Sequence, residues 1–327
     1  MILSDLNYEI HITNNHHQLL TEKLNMYAHV FIVTDTHVYT LHQNFFNDVF
    51  DMKKTVIHVI KPGETSKSLE VYQTICDNFL DHQIKRDDVI VAVGGGVVGD
   101  LAGFVAASLL RGVDFIQVPT TLLAMVDSSV GSKVGINTRQ GKNLIGHFYD
   151  PSFVHIDVNF LNTLTKRELN NGYAEIIKAS LIGDPELFSQ LKNPKHSIDE
   201  VIMRALQVKI DIVKKDPFES HERMFLNFGH TLGHAIEKEM NYETIKHGEA
   251  ISHGMMYAIK KGIEYQITED TLEKEIENLL HQYGLLNIQI SDIEMYEKRM
   301  QSDKKQRKDG LQFVYIQSIG NPLIKII

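Results

Sequence analysis

The chain has 327 residues, 43% hydrophobic and 23% charged, which is enough for two cores and ordinary for a globular protein. Its net charge of −9 argues against a general nucleic-acid or anionic-membrane binder. A single cysteine excludes an internal disulfide and suits a reducing cytoplasm, so any metal must take nitrogen and oxygen ligands, for which 17 histidines are candidates.

The N-terminus, Met1 to Ile10, shows no basic n-region followed by an apolar h-region, so no secretory signal is expected. The first half then alternates strand and helix. Strands are expected at Tyr8–Thr13, Val30–Thr34, Thr55–Ile60, Val89–Val93 and Phe115–Val118, with helices near His16–Asn25, Thr36–Phe50, Ser68–Asp81 and Val97–Leu110. Cys76 falls beside Ile75 and Phe79 in the third of these helices, which suits a packed thiol rather than a nucleophile. The alternation predicts an open, largely parallel α/β sheet that binds ligands where strand ends meet glycine-rich loops. Asp35, the stretch Lys61 to Lys67, and Pro119-Thr120-Thr121 stand at such ends.

The densest signal is Asp88 to Asp100. An apolar, β-branched run ends in Gly94-Gly95-Gly96 and leads into a helix, so Gly94, Gly96 and Gly99 satisfy G-x-G-x-x-G. Glycine admits a phosphate close to the backbone, and the first helical N–H groups point at it. A tight turn without ligand is the bland alternative. A membrane span over Val89–Leu110 is disfavoured, because three glycines break it and Asp100 near its centre would cost roughly 2.5–3.5 kcal/mol. The acid about twenty residues on, Asp114, begins the next strand at the wrong end of the sheet, so a turn role is expected for it. Gly131 to Gly146 is glycine-rich and basic, with Lys133 and Lys142.

From about Thr165 helices dominate: Lys166–Ile182, Asp199–Lys215, Leu226–Met240, Gly248–Gln266 and Thr271–Tyr283, with a strand at Leu311–Ile316. A boundary is expected near residues 160–165. Arg223, Asn227, His230 and His234 follow at steps of four, three and four, so one helix face would carry them all. A solvated surface stripe is the plain alternative. His230 and His234 have the i, i+4 spacing of a metal pair on a helix. Two histidines and a carboxylate would leave an open position for a substrate oxygen.

These residues resemble the 3-dehydroquinate synthase family of the shikimate pathway of aromatic amino acid biosynthesis. The similarity runs through Gly94-Gly-Gly-Val-Val-Gly-Asp-Leu-Ala-Gly-Phe104, Arg111-Gly-Val113, Gln117 to Ala124, Val126 to Lys133, Tyr173 to Lys178, Asn227 to Ala235, His247-Gly-Glu-Ala250 and Asp303-Lys-Lys305. The resemblance implies a Rossmann-like parallel α/β NAD-binding domain over residues 1–162. It implies a helical metal- and substrate-binding domain over residues 163–327, an active site between them, and a cytoplasmic homodimer. The implied reaction turns 3-deoxy-D-arabino-heptulosonate 7-phosphate into 3-dehydroquinate and phosphate. It proceeds by transient oxidation at C5 by NAD+, phosphate loss, re-reduction, ring opening and aldol closure.

Carried over by motif, the ligands of one divalent ion, Zn2+ or Co2+, are Glu175, His230 and His247. This sets aside the spacing argument, which paired His230 with His234. The cofactor set is Asp35, Gly63, Glu64 and Lys67 near the adenosine, Gly95, Gly96, Val97, Val98, Gly99 and Asp100 on the pyrophosphate, and Thr120, Thr121, Lys133, Lys142, Phe160, Leu161, Asn162 and Thr163 around the rest. Lys209 and Arg223 would hold the substrate carboxylate, where an arginine fork suits a planar bidentate partner. Lys133, Asn143 and Lys304 would hold the phosphate, with Arg111 supplied by the other subunit. Asp127, Lys178, Asn227 and His234 would position hydroxyls and relay protons. The chain is short for the family, and Ser132, Val134 and the tail Ile319-Gly-Asn-Pro322 depart from its pattern. Rival readings are a glycerol-type polyol dehydrogenase, which would release NADH, a sister sugar-phosphate cyclase, whose substrates lack the carboxylate, and a non-catalytic NAD sensor.

Overall fold

The computed structural model describes residues 1–4, 6–240, 244–290, 296 and 312–326. The chain divides into two compact units, Met1–Thr165 and Lys166–Ile327. In the first unit the elements run β1 (Ile2–Leu3), β2 (Glu9–Thr13), α1 (Gln18–Leu24), β3 (Val30–Asp35), α2 (Thr36–Leu41), α3 (Gln43–Val49) and β4 (Thr55–Ile60). They continue with α4 (Leu69–Asp81), β5 (Val89–Gly94), α5 (Gly96–Ser108), β6 (Asp114–Pro119), β7 (Lys133–Ile136), β8 (Ile145–Phe148) and β9 (Phe153–Asp157).

Seven strands form one sheet in the order β1-β2-β9-β6-β5-β3-β4, parallel except for the β1–β2 pair. The strand order reverses between β3 and β5, so a crevice opens at their carboxyl ends. Asp35 and the glycine turn stand there. Every residue of β5 is buried, as its β-branched run requires. A core of Phe31, Phe79, Ile90, Leu101, Phe104 and Phe115, among others, fixes α4 and α5 to one sheet face.

Several details differ from the sequence reading. The helix expected over Thr36–Phe50 is two helices, because His42 leaves helical geometry between them. The glycine-rich stretch after Gly131 contains the antiparallel hairpin β7–β8. Gly135 and Gly146 are cross-strand neighbours there, and a Cβ on Gly146 would come within 2.3 Å of the Val134 carbonyl oxygen. Strand β9 was not expected, because His155 and Asp157 interrupt its apolar pattern, yet it is wholly buried between β2 and β6. Asp114 is the first residue of β6 rather than part of a turn, and accepts a hydrogen bond from the Tyr27 hydroxyl at 2.8 Å. Thr163 stays with the first unit, its hydroxyl 3.1 Å from His42 Nε2.

The second unit contains α6 (Lys166–Gly183), α7 (Pro185–Leu191), α8 (Ile198–Lys215), α9 (His230–Glu239), α10 (His247–Glu264), α11 (Leu272–Gln282) and the hairpin β10 (Gln312–Ser318) and β11 (Asn321–Ile326). Asp184 caps α7 by accepting from Leu187 N at 2.9 Å, with Pro185 at the first helical position. The tail residues 319–322 form the tight end of the hairpin, where Gly320 takes φ +83. The largest correction concerns the expected helix over Leu226–Met240. A 3-10 turn spans Glu222–Asn227, and α9 starts only at His230, after Gly229 at φ +79. Arg223, Asn227, His230 and His234 therefore do not share one helix face; only the two histidines do. Among the described residues no helix is long and apolar enough to cross a membrane.

Candidate active site

Three helices of the second unit are drawn together by glycines. A Cβ on Gly254 of α10 would lie 1.8 Å from the Gly229 carbonyl oxygen, and one on Gly233 would lie 3.0 Å from Ile251 Cα. A Cβ on Gly248 would lie 2.4 Å from the Asn171 carbonyl oxygen of α6, and Gly248 N donates to Asn171 Oδ1 at 2.6 Å. The backbones of α9 and α10, and of α10 and α6, thus approach as only glycine permits. Glu249 fastens the start of α10, accepting from Lys246 N at 2.8 Å and from the Arg167 guanidinium at 2.7 Å on each oxygen.

That packing brings Glu175 of α6, His230 of α9 and His247 of α10 to one point. One ligand atom from each lies within 4.8 Å of the others. His247 Nε2 is 3.3 Å from Glu175 Oε1, and His230 Nε2 is 3.6 Å from the same oxygen. The far nitrogen of each ring is also engaged, His230 Nδ1 with the Phe228 carbonyl at 3.2 Å and His247 Nδ1 with Glu237 Oε2 at 3.4 Å. Buried Lys178 pairs with Glu175 one turn along α6. Burial works to raise the Glu175 pKa, but Lys178 and the imidazoles hold it well below the usual carboxylate range. Burial, with Lys178 next, pushes His230 well down. Burial also opposes charge on His247, yet the carboxylates of Glu175 and Glu237 raise it to about 10. The donor set fits a divalent ion: one carboxylate and two imidazoles favour positive charge at this point, and each ring is oriented through its other nitrogen.

Lys209 of α8 is buried, as is Arg223 on the 3-10 turn, and Asn227 on the same turn is half-buried. The helices α6 and α8 pack together, and the turn packs on both. His234, one turn beyond His230, is exposed, with ring centroids 5.2 Å apart. Two acids that the motifs did not single out hold the turn in place. Asp216 accepts from Ser220 N, His221 N and Arg223 N at 2.9, 2.6 and 3.1 Å, and these bonds, that from His221 foremost, hold its pKa below the usual range. Glu219 accepts from Asn227 Nδ2 at 2.8 Å, and Arg223 donates to the Pro217 carbonyl. Helical periodicity could not find these acids, because they lie in the irregular segment between α8 and the 3-10 turn.

In the first unit the cofactor candidates gather at the carboxyl edge of the sheet. Gly95 is the N-cap of α5 and brings no side chain to the helix start. A Cβ on Gly95, Gly96 or Gly99 would meet Thr121 Cγ2 at 3.2 Å, Ser128 Oγ at 3.1 Å and Gln117 Oε1 at 2.8 Å respectively. Val98 packs inward while Val97 stays half-buried. Thr120 N donates to the Gly94 carbonyl at 3.0 Å, and Thr121 Oγ1 accepts from Ala124 N at 3.1 Å. Lys67 pairs with Asp100, whose pKa burial raises and Lys67 lowers. Gly63, at φ +106, opens the 3-10 turn that carries Glu64, and Asn137 Nδ2 donates to Glu64 Oε1 at 2.7 Å. Asp35 caps α2 through His37 N and Val38 N at 2.8 and 2.9 Å. Phe160, Leu161, Asn162 and Thr163 lie on the 3-10 turn after β9, where Phe160 meets His42 edge-on at 4.8 Å. Asp127 lies half-buried in the turn after β6, Lys133 opens β7, and Lys142 and Asn143 precede β8. A glycine turn with uncapped helical N–H groups and a neighbouring lysine fits the pyrophosphate of a dinucleotide.

Among the described residues, one candidate stands apart from the glycine turn. Arg111 is exposed at φ +66 between α5 and β6, at the amino end of the strands and so at the other edge of the sheet from the glycine turn. Lys304, with Lys305, lies outside the described residues.

Models of the 3-dehydroquinate synthase N-terminal and C-terminal regions match residues 57–171 and 172–306. The chain belongs to the 3-dehydroquinate synthase family. It is 44% identical over 289 residues to the 3-dehydroquinate synthase of Clostridium perfringens (strain SM101 / Type A), covering 86% of this chain and 82% of that one. Among solved structures it resembles 2-deoxy-scyllo-inosose synthase complexed with carbaglucose-6-phosphate, NAD+ and Co2+, with TM-score 0.84, 25% identity and coverage of 97% and 91%. It also resembles 2-epi-5-epi-valiolone synthase from Streptomyces hygroscopicus subsp. jinggangensis 5008 with NAD+ and Zn2+ bound, with TM-score 0.88, 25% identity and coverage of 99% and 94%. The glycine turn lies within the residues matched by the 3-dehydroquinate synthase N-terminal model, and His230 and His247 lie with Glu175 within those matched by the C-terminal one.

Proposed function

We propose that this chain is a 3-dehydroquinate synthase, a phosphate-eliminating lyase that converts 3-deoxy-D-arabino-heptulosonate 7-phosphate to 3-dehydroquinate and phosphate. The observation that carries the reading is the convergence of Glu175, His230 and His247 from three helices, in a chain whose other unit presents a dinucleotide turn. The unit of residues 1–165 would hold NAD+ and that of residues 166–327 the metal and substrate. When bound, NAD+ supplies a reversible hydride acceptor, and a Zn2+ or Co2+ ion on the three ligands polarises substrate hydroxyls.

The chain's own residues do the rest. Gly95 to Asp100 meet the cofactor pyrophosphate with backbone N–H groups, and Thr120, Thr121, Lys142 and Phe160–Thr163 line the remainder. Lys209 and Arg223 bind the substrate carboxylate. Two buried cations suit a sugar acid rather than a neutral polyol, because an arginine fork matches a planar carboxylate. Lys133 and Asn143 bind the phosphate, with Lys304 as a further candidate. Lys178, Asn227, His234 and Asp127 orient hydroxyls and move protons. Holding one conformer in this set is worth several kcal/mol to the ring closure. The position of Arg111 away from the glycine turn supports service to a second copy in a homodimer. A cytoplasmic enzyme accords with the pathway.

The test is phosphate release from the heptulosonate phosphate with catalytic NAD+ and Zn2+. The expected result is stoichiometric phosphate without net absorbance of NADH. Stoichiometric NADH with glycerol, and no phosphate release, would overturn the reading in favour of a polyol dehydrogenase.

A further inference from the structure

Glu237 stands one turn beyond His234 on α9 and is 5% exposed. Its Oε2 lies 3.4 Å from His247 Nδ1, while His247 Nε2 lies 3.3 Å from Glu175 Oε1. His247 therefore spans two buried acids through its two ring nitrogens. Two roles for Glu237 follow from that geometry. It can orient His247, or it can itself be a ligand, because His234, Glu237 and His247 also bring one ligand atom each within 4.8 Å.

We propose that Glu237 is a positioning residue for the metal centre: it accepts the Nδ1–H of His247 and leaves the Nε2 lone pair directed at the point shared with Glu175 and His230. A neutral imidazole has one lone pair and one N–H. A second ion on Nδ1 would require His247 to lose that proton too, and of its other two ligands His234 is exposed. His230 shows the matching arrangement, its Nδ1 placed 3.2 Å from the Phe228 carbonyl. A carboxylate on the far nitrogen fixes the tautomer and raises ligand basicity. The proposal rests on the reading that Glu175, His230 and His247 hold a divalent ion.

The experiment uses the full chain stripped of metal, titrated with Zn2+ against a competing indicator, together with the zinc-induced rise in Tm. Wild type is expected to bind one ion per chain, and His247→Ala none, with NAD+ binding retained in both. Glu237→Ala is expected to weaken zinc about 10–100-fold and to shrink the zinc-induced rise in Tm. Glu237→Gln, whose amide oxygen still accepts from Nδ1–H, should fall between. A merely structural acid would lower the metal-free Tm and leave zinc affinity in place, and unchanged affinity in both variants overturns the proposal. Two ions in wild type falling to one in Glu237→Ala overturns it in favour of a second site. Failure of wild type to bind zinc removes the underlying reading, and this inference with it.

Discussion

Replacing Gly254 with alanine tests whether glycine packing sets the metal-ligand geometry. The new Cβ would sit 1.8 Å from the Gly229 carbonyl oxygen and 3.1 Å from Gly233 N. A carbon–oxygen contact settles near 3.3–3.6 Å, so the two backbones must part by more than about 1 Å. Backbone cannot swing aside as a side-chain tip does. Gly229 is followed directly by His230, so the displacement carries a proposed ligand away from Glu175 and His247. Overpacking costs about 1–3 kcal/mol. The helix preference for alanine returns about 1 kcal/mol, leaving a net loss of about 0–2 kcal/mol in metal-free stability. Misplacement on the scale of 1 Å can lower turnover by about 100-fold, and zinc affinity should fall with it. Gly262→Ala on the same helix is the control. Its Cβ would meet Thr268 Oγ1 at 2.0 Å and disturb the bond from that hydroxyl to the Ile316 carbonyl, at a similar stability cost. Zinc titration and thermal unfolding of both variants give the comparison. Wild-type zinc affinity in folded Gly254→Ala, or an equal loss in Gly262→Ala, refutes the reasoning.

Lys67→Met leaves Asp100 without its ion-pair partner beside the glycine turn. The expected loss is roughly 3 kcal/mol, the low end for a broken buried pair, because Asp100 keeps some access to water. Urea unfolding measures it, and NAD+ affinity should fall in the same variant. Asp216→Asn removes the charge that gathers Ser220, His221 and Arg223, and should raise KM for the carboxylate substrate while leaving zinc content unchanged. An unchanged KM would show that Arg223 is held by other means. Acid should weaken the fold through His155, whose pKa burial pushes down to about 3, with His17 and His11 adding to the shift and Asp157 opposing it. Neutral in the fold and near 6.5 unfolded, it contributes stability that is full above about pH 6.5 and is lost progressively as pH falls toward 3. The slope in that window is about 1.4 kcal/mol per pH unit, or about 2 kcal/mol between pH 7 and 5. Denaturation of wild type and His155→Gln across this range should differ by close to one proton, and equal slopes would reject the assignment.

Local pattern carried most of the α/β unit. Thr55–Ile60 has the same bounds in sequence and structure, and the run from Val89 into the glycines is a strand, turn and helix start, because β-branched composition and glycine act over a few residues. Periodicity failed where distant neighbours decide. Strand β9 forms around His155 and Asp157 because β2 and β6 pair with it on either side, which no local window can show. The helix expected through Asn227 breaks at Gly229, whose φ of +79 accompanies the close approach of α10. Motif resemblance named Glu175, His230 and His247 together, where spacing alone offered His230 with His234. By itself the sequence determined the element types, the glycine turn and the stock of donors and cations. Only the tertiary structure decided that residues 175, 230 and 247 meet at one point, because that meeting depends on three helix backbones packing through glycines far apart in the chain.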